Sequence, residues 1–531
     1  MISLYCPACN RDYDPVVGLF VCPVRFGANG DDSREHVLDL RLAFAIDSAN
    51  TRRSLAETLA TDWQQYPDDP IMAFAATSVT RQIVGSTRHA ELAAQLQEGL
   101  AQNERMALRV TPLTPAPELA MAINHTGPLR IKNETGQVTG SHKVRHLAGT
   151  LLYLEALEYM RTLSEKSGCT SYRAPCTVAA FRPELAIYSC GNAALAAAAI
   201  ARANGRVLRC FVPPDVCPEV AQLLSERGAR VEIMPRQTTG GGDPCYVAFR
   251  AAVTAGAVPF SCSGRDNWTH LDIGRTLGYE TLLQWQTSGG FPDHLMLQVG
   301  GGGLARAVAL AARELAAIGL TSGLPKVHVC QTVGAFPFVR AWLMLLADVT
   351  AAAGLPFNIE TYRSTAPGAD PKAALAGLQS FQEARFHEIL AASAFSAAHF
   401  KSSAVQHTLA RAIREPGRYH RAWDGTTPRS LAQGILDDET YDWYGLATAM
   451  LASGGIAVIV SESLVTEAYN LARTHTDIPV SATGSAGLAG LMALRRLGAI
   501  TPNDSVGLFF TGLDLCPSNH LRPVPQMIPN S

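Results

Sequence analysis

Val138-Thr139-Gly140-Ser141-His142-Lys143-Val144-Arg145 is the stretch whose reading decides the fold. A strand-like run, Leu129 to Glu134, leads into it through a polar turn. A helical run leaves it, with Leu147, Leu151, Leu154 and Leu157 at the spacing of one helix face. Lys143 therefore stands at a strand–turn–helix junction, with small and hydroxylated residues before it. A lysine in the first turn of a helix is ordinarily a solvated charge. Other stretches, distant in sequence, change that expectation.

Gly300-Gly301-Gly302-Gly303-Leu304 follows the buried strand His294–Val299 and opens an apolar helix. Such glycines let backbone N–H groups approach a phosphate, and the helix dipole favours the anion. A tight turn or a dinucleotide loop would look similar. A dinucleotide loop also wants a carboxylate near the end of the next strand, and that strand ends Val329-Cys330-Gln331. A triphosphate loop would need a Gly-Lys-Ser/Thr sequence, which is missing here. Ser189-Cys190-Gly191-Asn192 is a second strand-to-helix turn, readable as an ordinary cap or as an anion-seeking site. Ser481 to Leu491 is again small and polar before a helix, and Leu508-Phe509-Phe510-Thr511-Gly512 is a buried strand ending in a hydroxyl.

Together these motifs resemble the tryptophan synthase β superfamily (fold type II) of pyridoxal-phosphate enzymes, and within it threonine synthase and threonine dehydratase. Ile131-Lys132-Asn133-Glu134 through Lys143 is similar to the family's strand and Schiff-base lysine motif. The resemblance implies that Asn192 bonds the pyridoxal 3′-oxygen, that Gly300, Gly301, Gly302, Gly303 and Leu304 bind the phosphate, and that Thr511 meets the ring nitrogen. Ser141, Ser189, Cys190 and Gly191 would receive the substrate carboxylate. The match runs in order over about residues 110–335 and 440–515. Departures are visible: His142 and Val144 flank the lysine, Gln331 replaces a commonly acidic residue, and Thr511-Gly512-Leu513-Asp514 lacks the usual His-Gly.

The implied architecture is α/β: two open twisted domains of the tryptophan synthase β type with the cofactor between them. The rhythm of strands and helices from Leu185 to Met234, resumed at His294, Val327, Ala457 and Val506, independently argues for parallel sheet. We expect a degenerate zinc-ribbon-like knuckle over 1–40 and a helical segment over 41–109. The cofactor-binding core would occupy 110–335 and 440–531, with a smaller subdomain at about 150–275. A mostly helical insertion would fill 336–439. The pattern from Val37 to Met106 reads as mostly helical, broken at Pro67 and Pro70.

Cys6-Pro7-Ala8-Cys9 followed by Cys22-Pro23 is a zinc-ribbon signal, but Arg25 stands where a fourth cysteine belongs. Cys6, Cys9 and Cys22 are the candidate ligands, with His36 or Asp31 able to complete the set. The 531 residues are 47% hydrophobic and 17% charged, a globular composition, and the net charge of −2 gives no footprint for nucleic acid. No apolar run suggests a membrane span. The 12 scattered cysteines point to a reduced, cytoplasmic setting.

The resemblance implies a small amino-acid substrate, a homodimer, and lyase chemistry of the β-elimination or ammonia-lyase type, with Lys143 as covalent anchor and general base. A β- or γ-replacement enzyme and a threonine synthase-like phospho-lyase are the alternatives, and a non-catalytic binding protein on the same fold is a third. His142, Arg145, Asp272, Arg275 and Glu280 could face the substrate or serve the structure.

Overall fold

The computed structural model describes residues 2–25, 34–42, 49–167, 182–235, 243–355, 357, 359, 371–423 and 428–515. Three sheets organise them. The largest has six strands in the order β12-β11-β10-β13-β5-β4. These are β4 (Leu113–Pro115), β5 (Leu129–Asn133), β10 (His294–Gln298), β11 (Lys326–Thr332), β12 (Ala457–Val460) and β13 (Val506–Phe510). All run parallel except β4, which pairs antiparallel with β5 at the edge. The central strands β10 and β13, and β12 at the edge opposite β4, are buried along their whole length. Their continuous apolar runs are what a sheet covered by helices on both faces demands.

The second sheet is all parallel, in the order β8-β7-β6-β9: β6 (Leu185–Tyr188), β7 (Leu208–Val212), β8 (Arg230–Ile233) and β9 (Val258–Pro259). The helix Asn192–Ala203, eight of whose twelve residues are buried, crosses between β6 and β7. Alanine dominates that helix because its backbone packs close to the Lys143–Ser167 helix; each small side chain removes one obstacle to approach.

The N-terminus forms a third, antiparallel sheet, β2-β1-β3, from β1 (Ile2–Cys6), β2 (Arg11–Tyr13) and β3 (Asp39–Leu42). Here one expectation fails. The stretch from Val37 was expected to be mostly helical, yet Asp39–Leu42 is a strand paired with β1, and the first described helix after it is Ala49–Gln65. Leu38, Leu40 and Leu42 are buried with period two, and pairing with β1 exploits that alternation. Between β11 and β12 the chain is helical over Pro337–Ala352, Pro371–Ala384, Phe386–Ala398, Ser403–Arg414 and Trp443–Ser453. Among the described residues no helix is long and apolar enough to cross a membrane.

Candidate active site

Four of the five motif turns emerge from the carboxyl ends of parallel strands. The lysine turn follows β5, the asparagine turn follows β6, the glycine loop follows β10, and Thr511 follows β13. Open α/β sheets bind ligands at that edge because helix N-termini and loop N–H groups converge there.

The lysine turn is stitched to the segment after β13. Gly140 has φ +73, and a Cβ on it would lie 2.3 Å from the Leu513 side chain, so both conformation and space require glycine. The Leu513 N–H donates to the Gly140 carbonyl at 2.8 Å and the His142 N–H to the Thr511 carbonyl at 3.3 Å. Ser141 forms an isolated bridge with Gly512. Lys143, half-buried, opens the helix Lys143–Ser167 directly after this clasp. Its charge influences His142, Cys262, His270 and Asp437, so these groups lie around its side chain.

Thr511 Oγ1 accepts from Gln298 Nε2 at 2.6 Å, and the same amide donates to the Gly484 carbonyl at 3.0 Å. Having accepted there, the Thr511 hydroxyl is left with a proton to donate. Asn192 sits at the first position of its helix, where a Cβ on Gly512 would come within 2.6 Å of its Nδ2. Ser189 Oγ accepts from the Gly191 N–H at 3.4 Å, which closes the asparagine turn; Cys190 at its tip is exposed. Ser481 caps the helix Ala482–Arg496 by accepting from the Gly484 N–H at 3.0 Å, the role of an ordinary cap.

In the glycine loop Gly302 takes φ +93, and the helix Gly303–Ala317 starts behind it with Leu304 turned into the core. A segment that sequence reasoning missed closes over the loop. Thr440 Oγ1 donates to the Gly300 carbonyl at 2.9 Å, and the Asp442 N–H to the Gly301 carbonyl at 3.0 Å. The Asp437 carboxylate lies so near Gly300 that a Cβ there would stand 2.2 Å from its Oδ2. Burial pushes the Asp437 carboxyl up to about 6, against the pull of the Lys143 charge and the Gly301 N–H it accepts from. The acidic run Asp437-Asp438-Glu439, ahead of the Trp443–Ser453 helix, was the only trace of it in the sequence.

The flanking charged residues serve the scaffold. Arg145 is fully buried and binds Glu134 at 2.9 Å, Glu280 at 2.5 Å, Thr276 and the Arg109 carbonyl. Lys132 joins the cluster through Glu280 at 2.8 Å and the Thr111 carbonyl at 2.6 Å. Asp272 and Arg275 form a second cluster with Glu314. His142 holds its Nδ1 3.2 Å from the Thr511 carbonyl oxygen; burial, reinforced by the Lys143 charge, pushes it down to about 3, so the ring is neutral. The Lys132 and Glu134 of the strand motif thus fix the base of the lysine helix.

These groups fit pyridoxal phosphate: a lysine amine, a free hydroxyl proton, a carboxamide and a glycine loop at a helix N-terminus. Ser141 Oγ adds to the fit, being buried beside Lys143 with no hydrogen-bond partner among the described residues. A buried hydroxyl left without a partner is costly unless a ligand supplies one. In the knuckle, Cys6, Cys9 and Cys22 gather with His36, while Asp31 lies outside the described residues.

A family model described as pyridoxal-phosphate dependent enzyme matches residues 104–383. The chain belongs to that family and is a pyridoxal-phosphate-dependent enzyme of fold type II. Among solved structures it is similar to maize serine racemase, at 13% identity and a TM-score of 0.49, over 81% of this chain and 95% of that one. Threonine deaminase isoform 2 from Solanum lycopersicum aligns at 12% identity and a TM-score of 0.49, over 83% and 94%. Diaminopropionate ammonia lyase from Escherichia coli aligns at 14% and 0.49, over 82% and 91%. No curated protein sequence matches at a significant level.

Proposed function

We propose that the chain is an amino-acid lyase that eliminates a group from the β-carbon of a small amino acid, with Lys143 as covalent anchor and base. Bound pyridoxal phosphate supplies the electron sink that makes the substrate's α-proton removable. The remaining tasks fall to side chains of this protein. Lys143 takes the proton from the α-carbon. Thr511 donates its hydroxyl proton to the ring nitrogen, Asn192 orients the ring through its 3′-oxygen, and the Gly300–Gly303 N–H groups hold the phosphate. Ser141 and the Ser189-Cys190-Gly191 turn receive the substrate carboxylate. Departure of the β-group then yields a keto acid and ammonia after hydrolysis. In the same reading the knuckle thiols Cys6, Cys9 and Cys22 hold a structural Zn²⁺ ion, outside the reacting centre.

The observation that carries this reading is the Thr511 hydroxyl, fixed by Gln298 and clasped through its backbone to the lysine turn. A neutral donor, unlike a carboxylate, does not hold the ring nitrogen protonated. The weaker electron sink favours rapid expulsion of a β-leaving group over a long-lived carbanion. Replacement at the β- or γ-carbon is the alternative outcome of the same first step. The test is a panel of amino acids offered to the purified holoenzyme, with keto acid and ammonia measured. Stoichiometric keto acid and ammonia from one member supports elimination; consumption only when a second nucleophile is added would replace that reading with replacement. A near-visible absorbance band that survives Lys143→Ala would remove the lysine assignment.

A further inference from the structure

The knuckle carries chemistry that elimination does not use. Cys6 ends β1, Cys9 lies in the turn before β2, and Cys22 and His36 come from the loops on either side of residues 26–33. Cys6, Cys22 and His36 are buried and the three thiols are free. The ligand atoms of all four residues lie within 4.8 Å of one another. Cys9 Sγ stands 3.6 Å from Cys22 Sγ and 3.3 Å from His36 Nδ1, and Cys6 Sγ stands 3.5 Å from His36 Nδ1. Zinc bonds of about 2.3 Å to sulfur and about 2.0–2.1 Å to nitrogen, set at the tetrahedral angle, give edges of about 3.8 Å between sulfurs and about 3.6 Å between sulfur and nitrogen. All three measured separations fall within about 0.3 Å of those edges. Three thiolates and an imidazole also form a soft donor set that disfavours calcium and magnesium.

The same knuckle grips the walls of the cofactor site. Tyr153 Oη, on the lysine helix, donates to the Pro15 carbonyl at 2.7 Å, and Trp268 Nε1 to the Leu19 carbonyl at 2.6 Å. Beside His36, the Glu35 carboxylate accepts from Trp443 Nε1 at 3.1 Å. Most directly, Arg306 in the first turn of the glycine-loop helix donates to Asp39 of β3 at 2.8 Å and to Asp442 at 2.7 Å. Asp442 in turn donates its N–H to Gly301. A continuous set of contacts therefore runs from a strand of the metal knuckle, through Asp39, Arg306 and Asp442, to the loop that meets the phosphate.

We infer that His36 completes a four-coordinate zinc site with Cys6, Cys9 and Cys22, and that the filled site holds the glycine loop in its binding conformation through the Asp39–Arg306–Asp442 bridge. This rests on the zinc reading of the knuckle and adds to it a fourth ligand and a consequence for cofactor affinity. Metal binding supplies free energy only to the folded knuckle, so it selects the conformation in which Asp39 meets Arg306.

Two measurements on the full-length protein test this: zinc per chain, and the dissociation constant for pyridoxal phosphate from absorbance titration. The wild type should carry one zinc per chain, and removing it should weaken the cofactor by about tenfold, within the usual range for coupled sites. His36→Ala should lose zinc, whereas His36→Cys should keep it, with a stronger thiolate-to-cobalt absorption after Co²⁺ substitution. Asp39→Ala removes the acceptor and cuts the bridge without touching a ligand; it should retain zinc and bind the cofactor several-fold more weakly. Full zinc in His36→Ala would overturn the fourth ligand, and unchanged cofactor affinity in Asp39→Ala would overturn the coupling. A zinc-free wild type overturns the metal site itself. A wild type that holds zinc yet fails to bind pyridoxal phosphate overturns the cofactor reading, and with it the coupling, but leaves His36 as the fourth ligand.

Discussion

The Thr511 hydroxyl accepts a 2.6 Å hydrogen bond from the Gln298 carboxamide, which reaches it from the neighbouring parallel strand. Gln298 is itself fixed by the Gly484 carbonyl, so the direction of the amide, and therefore of the remaining hydroxyl proton, is set by the scaffold. Removing that donor should lower kcat by roughly 100- to 1,000-fold, as loss of one preorganised donor does elsewhere. Thr511→Ser should retain most activity and Thr511→Ala should not, with both unfolding within about 1 kcal/mol of wild type. Steady-state kinetics beside denaturant unfolding separates the two effects. Equal turnover in Thr511→Ala and wild type would remove Thr511 from the site.

Asp437 offers a carboxylate to the Gly301 N–H, in the loop proposed above to hold the phosphate. Two anions close together in a desolvated site oppose one another. Asp437→Asn should therefore bind pyridoxal phosphate more tightly, by about tenfold, while its affinity for pyridoxal, which has no phosphate, stays level. The comparison of the two ligands is decisive, because a general loosening of the segment would change both together.

Gly140→Ala places a side chain at φ +73 and against Leu513. Left-handed strain of about 1–2 kcal/mol plus the steric overlap should lower stability by about 2–3 kcal/mol. Adding Leu513→Ala should restore part of the loss, since it clears the space but not the backbone strain. Chemical unfolding of the single and double variants checks the sum; identical stability of both would show that the clasp yields without cost.

Buried neutral histidines should make the protein acid-labile. Burial pushes His142 and His420 each down to about 3 from the ordinary 6.5. His420 Nε2 also accepts from the Thr440 N–H at 3.1 Å, a bond that only the neutral ring can make. As pH falls below 6.5 the unfolded chain takes up protons that the folded one refuses, so stability is intact above that value and falls towards pH 3. Each histidine should cost about 2 kcal/mol at pH 5 relative to neutrality. His420→Gln should unfold less steeply with acid, by about that amount, when Tm or denaturant midpoints are followed from pH 7.5 to 5.

The parts of the candidate site that could be proposed from sequence are those whose chemistry is local. Lys143, Asn192, the glycine loop and Thr511 each follow a strand, and a strand-to-helix turn writes its glycines and hydroxyls into consecutive residues. The strands β5 to β8 and β10 to β13 announced themselves as short apolar runs for the same reason, whereas the very short β4 and β9 did not. What escaped was set by partners far apart in the chain. Arg145 meets Glu280 across 135 residues, and neither neighbourhood signals the other. Asp437 sits in a helical insertion with no motif around it, and only its approach to Gly300 gives it meaning. The strand Asp39–Leu42 was misread because four residues are too few to separate period two from a helical pattern when helices follow.

The clasp between the lysine turn and the end of β13 also sets a clock. His142 and Thr511 are 369 residues apart, and β13 is a central strand, inserted between β10 and β5. A ribosome adding about 5–20 residues per second needs roughly 20–70 s to travel that interval. Throughout that time β5 lacks its parallel neighbour and the lysine turn lacks its clasp. Closure of the lysine turn therefore waits on β13, the last strand in chain order to enter the six-stranded sheet.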